Sequence, residues 1–249
     1  DNTLNILKDY ERRDKRIKIF HRKNDLKKGF NKGVATTLNE LIKYSKGSYI
    51  ARMDADDICH LRRIELQYKQ MKESNSDLCG SNMELIDENS EFLNMEKKYP
   101  IKHEAIREGL TFYNCLAHPT IFIKKESIFH EKNNLYHNRY FQDYDLWLRL
   151  MSKGLIFENI DSCLLKYRLH KNQISKGKTF RTEPIEEFRS IQREYLFKEF
   201  KISKEFRYEF VMKELVKRID SRNSFFLLKK YLNNFTLKQL NFFFSDSLI

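Results

Sequence analysis

Hydrophobic and polar positions repeat with two different periods along the first two thirds of the chain. Alternation with a period of two, typical of strands, occurs in the segments 16–20, 48–53, 77–87, 119–124 and 162–167. Apolar residues recur at helical spacing in the segments 3–10, 34–42, 61–71, 102–112 and 141–153. Because the two kinds of segment alternate, we predict an α/β protein with a mostly parallel sheet and helices on both faces.

The pattern changes near residue 177, beyond which long charged helices replace strands. We therefore predict two regions, a domain over residues 1–177 and a basic helical tail over residues 178–249. From residue 171 onward there are 17 Lys and Arg against 10 Asp and Glu, a net charge of +7. The tail has an apolar stripe that begins with Phe188, Ile191, Tyr195 and Leu196. Such helices either complete a core or lie on an anionic membrane surface, and the sequence leaves both open.

Composition narrows the classes of function. The four cysteines are scattered without a CxxC pair, which argues against a zinc site and a disulfide framework and favours a reducing cytosol. No apolar run reaches the length of a membrane span, so we expect a cytoplasmic protein, peripheral on the inner membrane face at most. The net charge of +12 favours an anionic partner. However, no motif for RNA or DNA binding occurs, and nucleic acid is not the expected partner.

Three carboxylates lie directly after the strand-like segment 48–53. In an extended chain Asp54 and Asp56 would point to the same side, at the carboxyl edge of the sheet, where α/β proteins bind ligands. Oxygen ligands of this kind suit Mg²⁺ or Mn²⁺. The alternative is a solvated acidic turn that caps the following helix.

Three segments in register carry a resemblance to a known family: ARMDADD at 51–57, DYDLWLRL at 143–150 and LKYRLH at 165–170. Over residues 1–176 the chain resembles glycosyltransferase family 2, the inverting enzymes of GT-A fold. The resemblance implies transfer of a hexose from a nucleotide sugar, with a UDP-linked donor favoured. The implied acceptor is a glycan or lipid-linked molecule of a bacterial surface polysaccharide, of lipopolysaccharide or capsule type.

The resemblance also implies roles for four residues. It places Asp54 near the donor ribose or the metal shell, and Asp56 and His170 on a divalent cation, Mn²⁺ or Mg²⁺. It makes Asp143 the catalytic base, and an ordinary pKa near ~3.9 predicts a carboxylate that is already ionised at neutral pH. The alternatives are a helix-capping Asp143 and a His170 that packs on the sheet. On the same helix we expect Asp145 to be solvated and Trp147 to lie in the core.

The chain departs from the family pattern in three places. Residues 24–31 form a shortened loop with Lys27 where relatives carry glycine, and Gln142 replaces a glutamate before the base. The first residues, 1–3, resemble the end of the family's first loop, so the first strand is expected to be missing. These departures keep open a catalytically inactive remnant or binding module of the same fold. A metal-dependent nucleic-acid enzyme is the remaining alternative.

Overall fold

The structure is a computed structural model. It describes residues 2–20, 30–110, 113–128, 135–137, 140–170, 187–192 and 194–195. The helices are α1 Thr3–Arg13, α2 Phe30–Tyr44, α3 Arg63–Ser74, α4 His103–Leu110, α5 Lys125–Ile128 and α6 Gln142–Ser152. The strands are β1 Tyr49–Ala51, β2 Ile58–Cys59, β3 Leu78–Ile86, β4 Phe92–Lys97, β5 Phe122–Lys124 and β6 Phe157–Arg168. No helix in these ranges combines the length and the apolar character that a membrane crossing requires.

The five predicted helices correspond to α1, α2, α3, α4 and α6, and four of the five predicted strands correspond to β1, β3, β5 and β6. The fifth predicted strand, residues 16–20, is not a strand, because it forms no ladder with any described strand and alternation alone supplies no hydrogen-bond partner. The short elements β2, β4 and α5 are additional.

The described strands form one six-stranded sheet with the order β1-β5-β3-β6-β2, and β4 pairs with β3. β3 and β6 are parallel, while β5 is antiparallel to both β1 and β3, so β1, β3 and β6 run in the same direction. The α/β class is therefore confirmed, but the described strand directions are mixed rather than mostly parallel. Two strands account for much of the difference between the predicted parallel sheet and the observed mixed one. Strand β4 returns from β3 through a tight turn, and β5 lies between β1 and β3 in the opposite direction.

The main hydrophobic core surrounds α6. Trp147 is buried in it, as predicted. Residues 187–192 are helical and pack on the same core: the Phe188 ring stacks on Tyr144 with centroids 4.7 Å apart, and Ile191 and Tyr195 are buried. The described start of the tail thus packs on the first domain. The boundary near residue 177 and the tail beyond residue 195 lie outside the described residues, and the division into two regions stays a prediction.

Helix α3 buries a largely polar face that lies beside most of the apolar residues that mark it in the sequence. Leu61, Ile64, Tyr68 and Met71 mark the helix in the sequence; Met71 is buried, but the other three are exposed. The buried positions are Arg63, Gln67 and Met71, which recur every four residues. The side chain of Arg63 is only 1% exposed. The helix was predicted correctly, and its orientation follows from polar contacts.

Those contacts form what we call the Arg63–Gln67 clamp. The Arg63 guanidinium donates to Gln67 Oε1 at 2.9 Å and to the backbone carbonyls of Arg52 and Ile121 at 2.8 and 3.3 Å. Gln67 Nε2 donates to the carbonyls of Cys79 and Thr120 at 2.9 and 2.8 Å. One helix face therefore holds the end of β1, the start of β3 and the turn that precedes β5.

We expect Arg63→Met to lower the free energy of unfolding by about 3 kcal/mol, because buried carbonyls lose a charged donor. Arg62→Met is the matched control, since the Arg62 guanidinium lies on the surface beside the exposed Glu65, and it should change stability by less than about 0.5 kcal/mol. Urea unfolding followed by circular dichroism measures both. Equal losses in the two variants would contradict a structural role for the clamp.

Candidate active site

The acidic segment follows β1 and reverses the chain into β2. Because residues 55–57 turn, the extended-chain argument for Asp54 and Asp56 fails, and their carboxylates have different partners. Asp54 accepts two hydrogen bonds from the Arg52 guanidinium, at 2.6 and 2.5 Å. This bidentate geometry is the strong form of a carboxylate–guanidinium pair. Arg52 lies two residues before Asp54 within the motif, and that spacing was the signal from which the contact could have been predicted.

Asp56 faces His170, which follows β6. The Oδ2 atom of Asp56 lies 3.2 Å from Nε2 of His170. Since β1 and β6 run in the same direction, both residues follow strand ends at the carboxyl edge of the sheet. Arg168 stabilises the arrangement: its Nε donates to the Asp56 carbonyl at 2.8 Å and its backbone N–H to Asp57 Oδ1 at 3.0 Å. The same guanidinium reaches the turn after β3, at Asp87 O, Glu88 O and Ser90 Oγ.

The Asp56–His170 pair fits an open metal site. One carboxylate oxygen and one imidazole nitrogen face each other, and the side chains are 43% and 31% exposed. The described ranges contain no group of three or more His, Cys, Asp or Glu that could hold a metal ion alone. Mg²⁺ commonly takes one or two carboxylates and completes its shell with phosphates and water. The role of the pair on a cation stays a prediction.

Asp57 is buried beside this pair, at 7% exposure. Its Oδ2 atom finds no hydrogen-bond partner among the described residues. Burial raises the pKa of Asp57 to about 6; the Arg168 N–H opposes the rise, and the charges of Asp54 and Asp56 add to it. Sequence reasoning assigned this residue no role.

Asp143 occupies the second position of α6. Its Oδ2 atom accepts a hydrogen bond from Asn114 Nδ2 at 2.8 Å. Burial raises the pKa of Asp143, while the backbone N–H of Tyr144, the Asn114 amide and the charge of Arg52 lower it. The expectation of an ordinary pKa is therefore wrong. A carboxylate whose pKa is raised is a stronger proton acceptor than an ordinary one.

A histidine and a tyrosine lie close to the same charges. His118 Nε2 and the Tyr136 hydroxyl are 2.8 Å apart. Burial lowers the pKa of His118 well below its usual value, and the charge of Arg52 lowers it further, so the ring is neutral at pH 7. Asn39 of α2 holds the Tyr136 backbone through two hydrogen bonds of 2.9 and 2.8 Å. The Arg52 charge acts on Tyr136 as well as on Asp143, and sequence reasoning missed Arg52, Asn114 and Tyr136.

The prediction that Asp145 is solvated is wrong. Its side chain is 3% exposed in total, and its Oδ2 atom lies 2.9 Å from Arg149 Nε and 3.0 Å from His137 Nδ1. Helix α6 is covered on this side by residues 135–137, and the carboxylate is buried with two partners. It supports the helix that carries Asp143.

This chain is similar in sequence to known proteins of one family. The family described as glycosyl transferase family 2 matches residues 1–144. The chain is 38% identical to the O-antigen biosynthesis glycosyltransferase WbnJ of Escherichia coli over 174 residues, which is 69% of this chain and 64% of that protein. It is 29% identical to the amylovoran biosynthesis glycosyltransferase AmsE of Erwinia amylovora, over 59% of this chain and 54% of that protein. The chain thus spans between about half and two thirds of the length of these relatives.

Among solved structures, the chain is similar to S. aureus TarS 1-349 in complex with UDP-GlcNAc. The TM-score is 0.60 at 13% identity, over 98% of this chain and 67% of that chain. At this identity the likeness concerns the fold alone, and it confirms the predicted GT-A type.

Asp57→Asn should stabilise the protein above pH 6. The pKa of Asp57 in the folded protein, about 6, lies above the ordinary value of 3.8. Asp57 therefore contributes fully to the stability of the folded protein below about pH 4, and this contribution is lost as the pH rises through 6 and the buried carboxyl ionises. The asparagine still accepts from Arg168 and never ionises. We expect the variant to match the wild type near pH 4 and to exceed it by about 1–3 kcal/mol at pH 8.

Urea unfolding between pH 4 and pH 8 measures this difference. Asp9→Asn, on the exposed surface of α1, is the control and should show a difference from the wild type that is constant between pH 5 and pH 8. A constant difference for Asp57→Asn as well would contradict the raised pKa.

Proposed function

The chain belongs to glycosyltransferase family 2, and from that premise we propose that it transfers a hexose from a nucleotide sugar, with a UDP-linked donor, to a glycan or lipid-linked acceptor in bacterial surface polysaccharide synthesis. Two relatives support the pathway by their names, one for O-antigen and one for amylovoran. The structural neighbour in complex with UDP-GlcNAc supports the donor class.

The observation that carries the proposal is the contact between Asp56 and His170. These residues are 114 positions apart in the chain, yet their side chains lie 3.2 Å apart. They meet at the carboxyl edge of the sheet, where open α/β sheets bind nucleotides. A solvated acidic turn would not require a histidine from the far end of another strand.

In the proposed reaction Asp143 is the base. The acceptor hydroxyl oxygen attacks the anomeric carbon of the sugar on the face opposite the diphosphate, while the Asp143 carboxylate takes the hydroxyl proton. The bond between the anomeric carbon and the diphosphate oxygen breaks, and UDP leaves with the electron pair, so the configuration inverts. The raised pKa of Asp143 makes the proton transfer more favourable than it would be to an ordinary carboxylate.

Asp56 and His170 would hold the divalent cation, Mn²⁺ or Mg²⁺, and Asp54 would lie near the donor ribose or the metal shell. When bound, such a cation stabilises the negative charge that gathers on the departing diphosphate. Asp56 would supply a carboxylate oxygen and His170 an imidazole nitrogen, both within reach of solvent.

A second candidate is an inactive binding module of the same fold. The bidentate contact from Arg52 favours it, because both oxygens of Asp54 are already occupied. A donor ribose would have to compete with a charged, half-buried guanidinium. Such a module would bind UDP but would not cleave a UDP-sugar to UDP and sugar.

The proposal places the protein in the cytoplasm, with a peripheral contact to anionic membrane through the basic tail. Most of the tail lies outside the described residues, so its charge and its apolar stripe support this contact from the sequence alone. Co-sedimentation with anionic and neutral vesicles at rising salt tests it, since electrostatic binding weakens with ionic strength.

We expect Asp143→Asn to reduce kcat for UDP release by about 10²–10⁴-fold and to leave the Kd for UDP unchanged, because the amide keeps its size but accepts no proton. UDP-glucose, UDP-galactose and UDP-N-acetylglucosamine are the donors, and simple alkyl glycosides are the acceptors. Asp87→Asn, in the turn after β3, is the control. A variant that keeps more than a tenth of wild-type kcat would remove Asp143 from the role of base; UDP binding without release in the wild type would favour the inactive module.

We expect His170→Ala and Asp56→Asn each to weaken Mn²⁺ binding in the presence of UDP by about tenfold or more, since each removes one of two protein ligands. Electron paramagnetic resonance of free Mn²⁺ measures binding without any turnover. His60→Ala is the control, because His60 follows β2 and, among the described residues, its Nδ1 atom accepts the N–H of its near neighbour Arg62. Unchanged Mn²⁺ affinity in His170→Ala would take this residue out of the metal shell.

A further inference from the structure

The segment 113–121 connects α4 to β5 and passes the start of α6. Asn114 lies in this segment, and both ends of its side-chain amide are engaged. Nδ2 donates to Asp143 Oδ2 at 2.8 Å, and Oδ1 accepts the backbone N–H of Leu116 at 3.3 Å. Because a backbone N–H only donates, it fixes the amide with its oxygen toward Leu116 and its NH₂ group toward Asp143.

The carboxylate of Asp143 needs such a donor. In the described part of the chain it interacts electrostatically with Tyr99, Tyr136 and the charge of Arg52. Its hydrogen bonds come from Asn114 and from backbone N–H groups at the start of α6. Asn114 is thus the side chain that decides how this carboxylate is rotated about its bond to Cβ.

We propose that Asn114 is a positioning residue for sugar transfer: it binds one oxygen of the Asp143 carboxylate and so holds the group in one orientation toward the acceptor hydroxyl. This inference rests on the proposed function. Asn114 donates no proton to the substrate and acts only through Asp143. Orientation matters because a reacting oxygen that is displaced by about 1 Å can cost a hundredfold in rate.

The sign of the electrostatic effect follows from the contact. The amide stabilises the ionised carboxylate and lowers its pKa, so removal of the amide raises it. A charged hydrogen bond of ordinary strength corresponds to a shift of about one pH unit. In a plot of kcat against pH, the acidic limb should therefore move to higher pH by the same amount.

Two variants test the inference. Asn114→Asp keeps the acceptor for the N–H of Leu116, so the fold should be retained. It replaces the amide donor by a second carboxylate, so the pKa of Asp143 should rise the most. Asn114→Ala removes both contacts and should move it by about one unit. In both variants we expect kcat for UDP release from the UDP-sugar panel at pH 7 to fall at least tenfold, with the KM for the donor nearly unchanged.

Asn82→Asp is the matched control, because it keeps an acceptor for the N–H of Tyr99 and loses the donor to Asp161. Asn82 has the same bonding pattern, since its Nδ2 donates to the Asp161 carboxylate at 3.0 Å and its Oδ1 accepts the N–H of Tyr99 at 2.9 Å. It makes no hydrogen bond to Asp143. This variant should lower stability without moving the titration of Asp143 or the acidic limb of the profile.

The titration is measured by carboxyl ¹³C resonance, assigned with Asp143→Asn, and requires no turnover. If the wild-type chain transfers no sugar, the proposed function fails, while a shifted titration in the Asn114 variants still supports the contact and its effect. An Asp143 midpoint that stays within about 0.3 units of wild type in both variants would overturn the inference, whatever the activity.

Discussion

The structure depends on a buried arginine whose partners are carbonyl groups. The Arg63 guanidinium lies beneath the point at which β1 becomes the acidic turn, and it binds the carbonyls of Arg52 and Ile121. Burial lowers the pKa of Arg63, yet a guanidinium remains charged in proteins. A cation held there fixes the backbone at Arg52. The direction in which the following aspartates leave the sheet is set by that fixed backbone.

The same helix shows how far the pattern of the sequence predicts the fold. Apolar spacing predicts α3 correctly, because periodicity reports which residues share a side. It does not report which side is covered: Met71 of the predicted stripe is buried together with Arg63 and Gln67, whereas Leu61, Ile64 and Tyr68 are exposed. The strand β4 is exposed throughout, and β2 has only two residues. Neither offers alternation long enough to recognise, so tertiary pairing alone defines them.

Those contacts of the site that join residues of recognisable motifs could be predicted from the sequence. The contact of Asp56 with His170 followed from two motifs in register, since strands of one direction end at one edge of the sheet. The contact of Asn114 with Asp143 did not follow from any motif, because the two residues are 29 positions apart. The contact of Arg52 with Asp54 could have been predicted from their spacing within one motif. The error on Asp145 has a different cause: helix geometry gives the direction of the side chain, but hydrophobic periodicity does not show that the preceding segment 135–137 covers it.

Four carboxylates of one candidate site are thereby placed in four different environments. Asp54 is bound on both oxygens by Arg52, and Asp56 is exposed beside an imidazole. Asp57 and Asp143 both have pKa values raised by burial, but one oxygen of Asp57 has no partner among the described residues, whereas Asp143 accepts from Asn114. Groups of one chemical type acquire different roles when their surroundings separate their proton affinities. In the proposed reaction the exposed carboxylate suits a cation, and the buried, oriented carboxylate suits a proton.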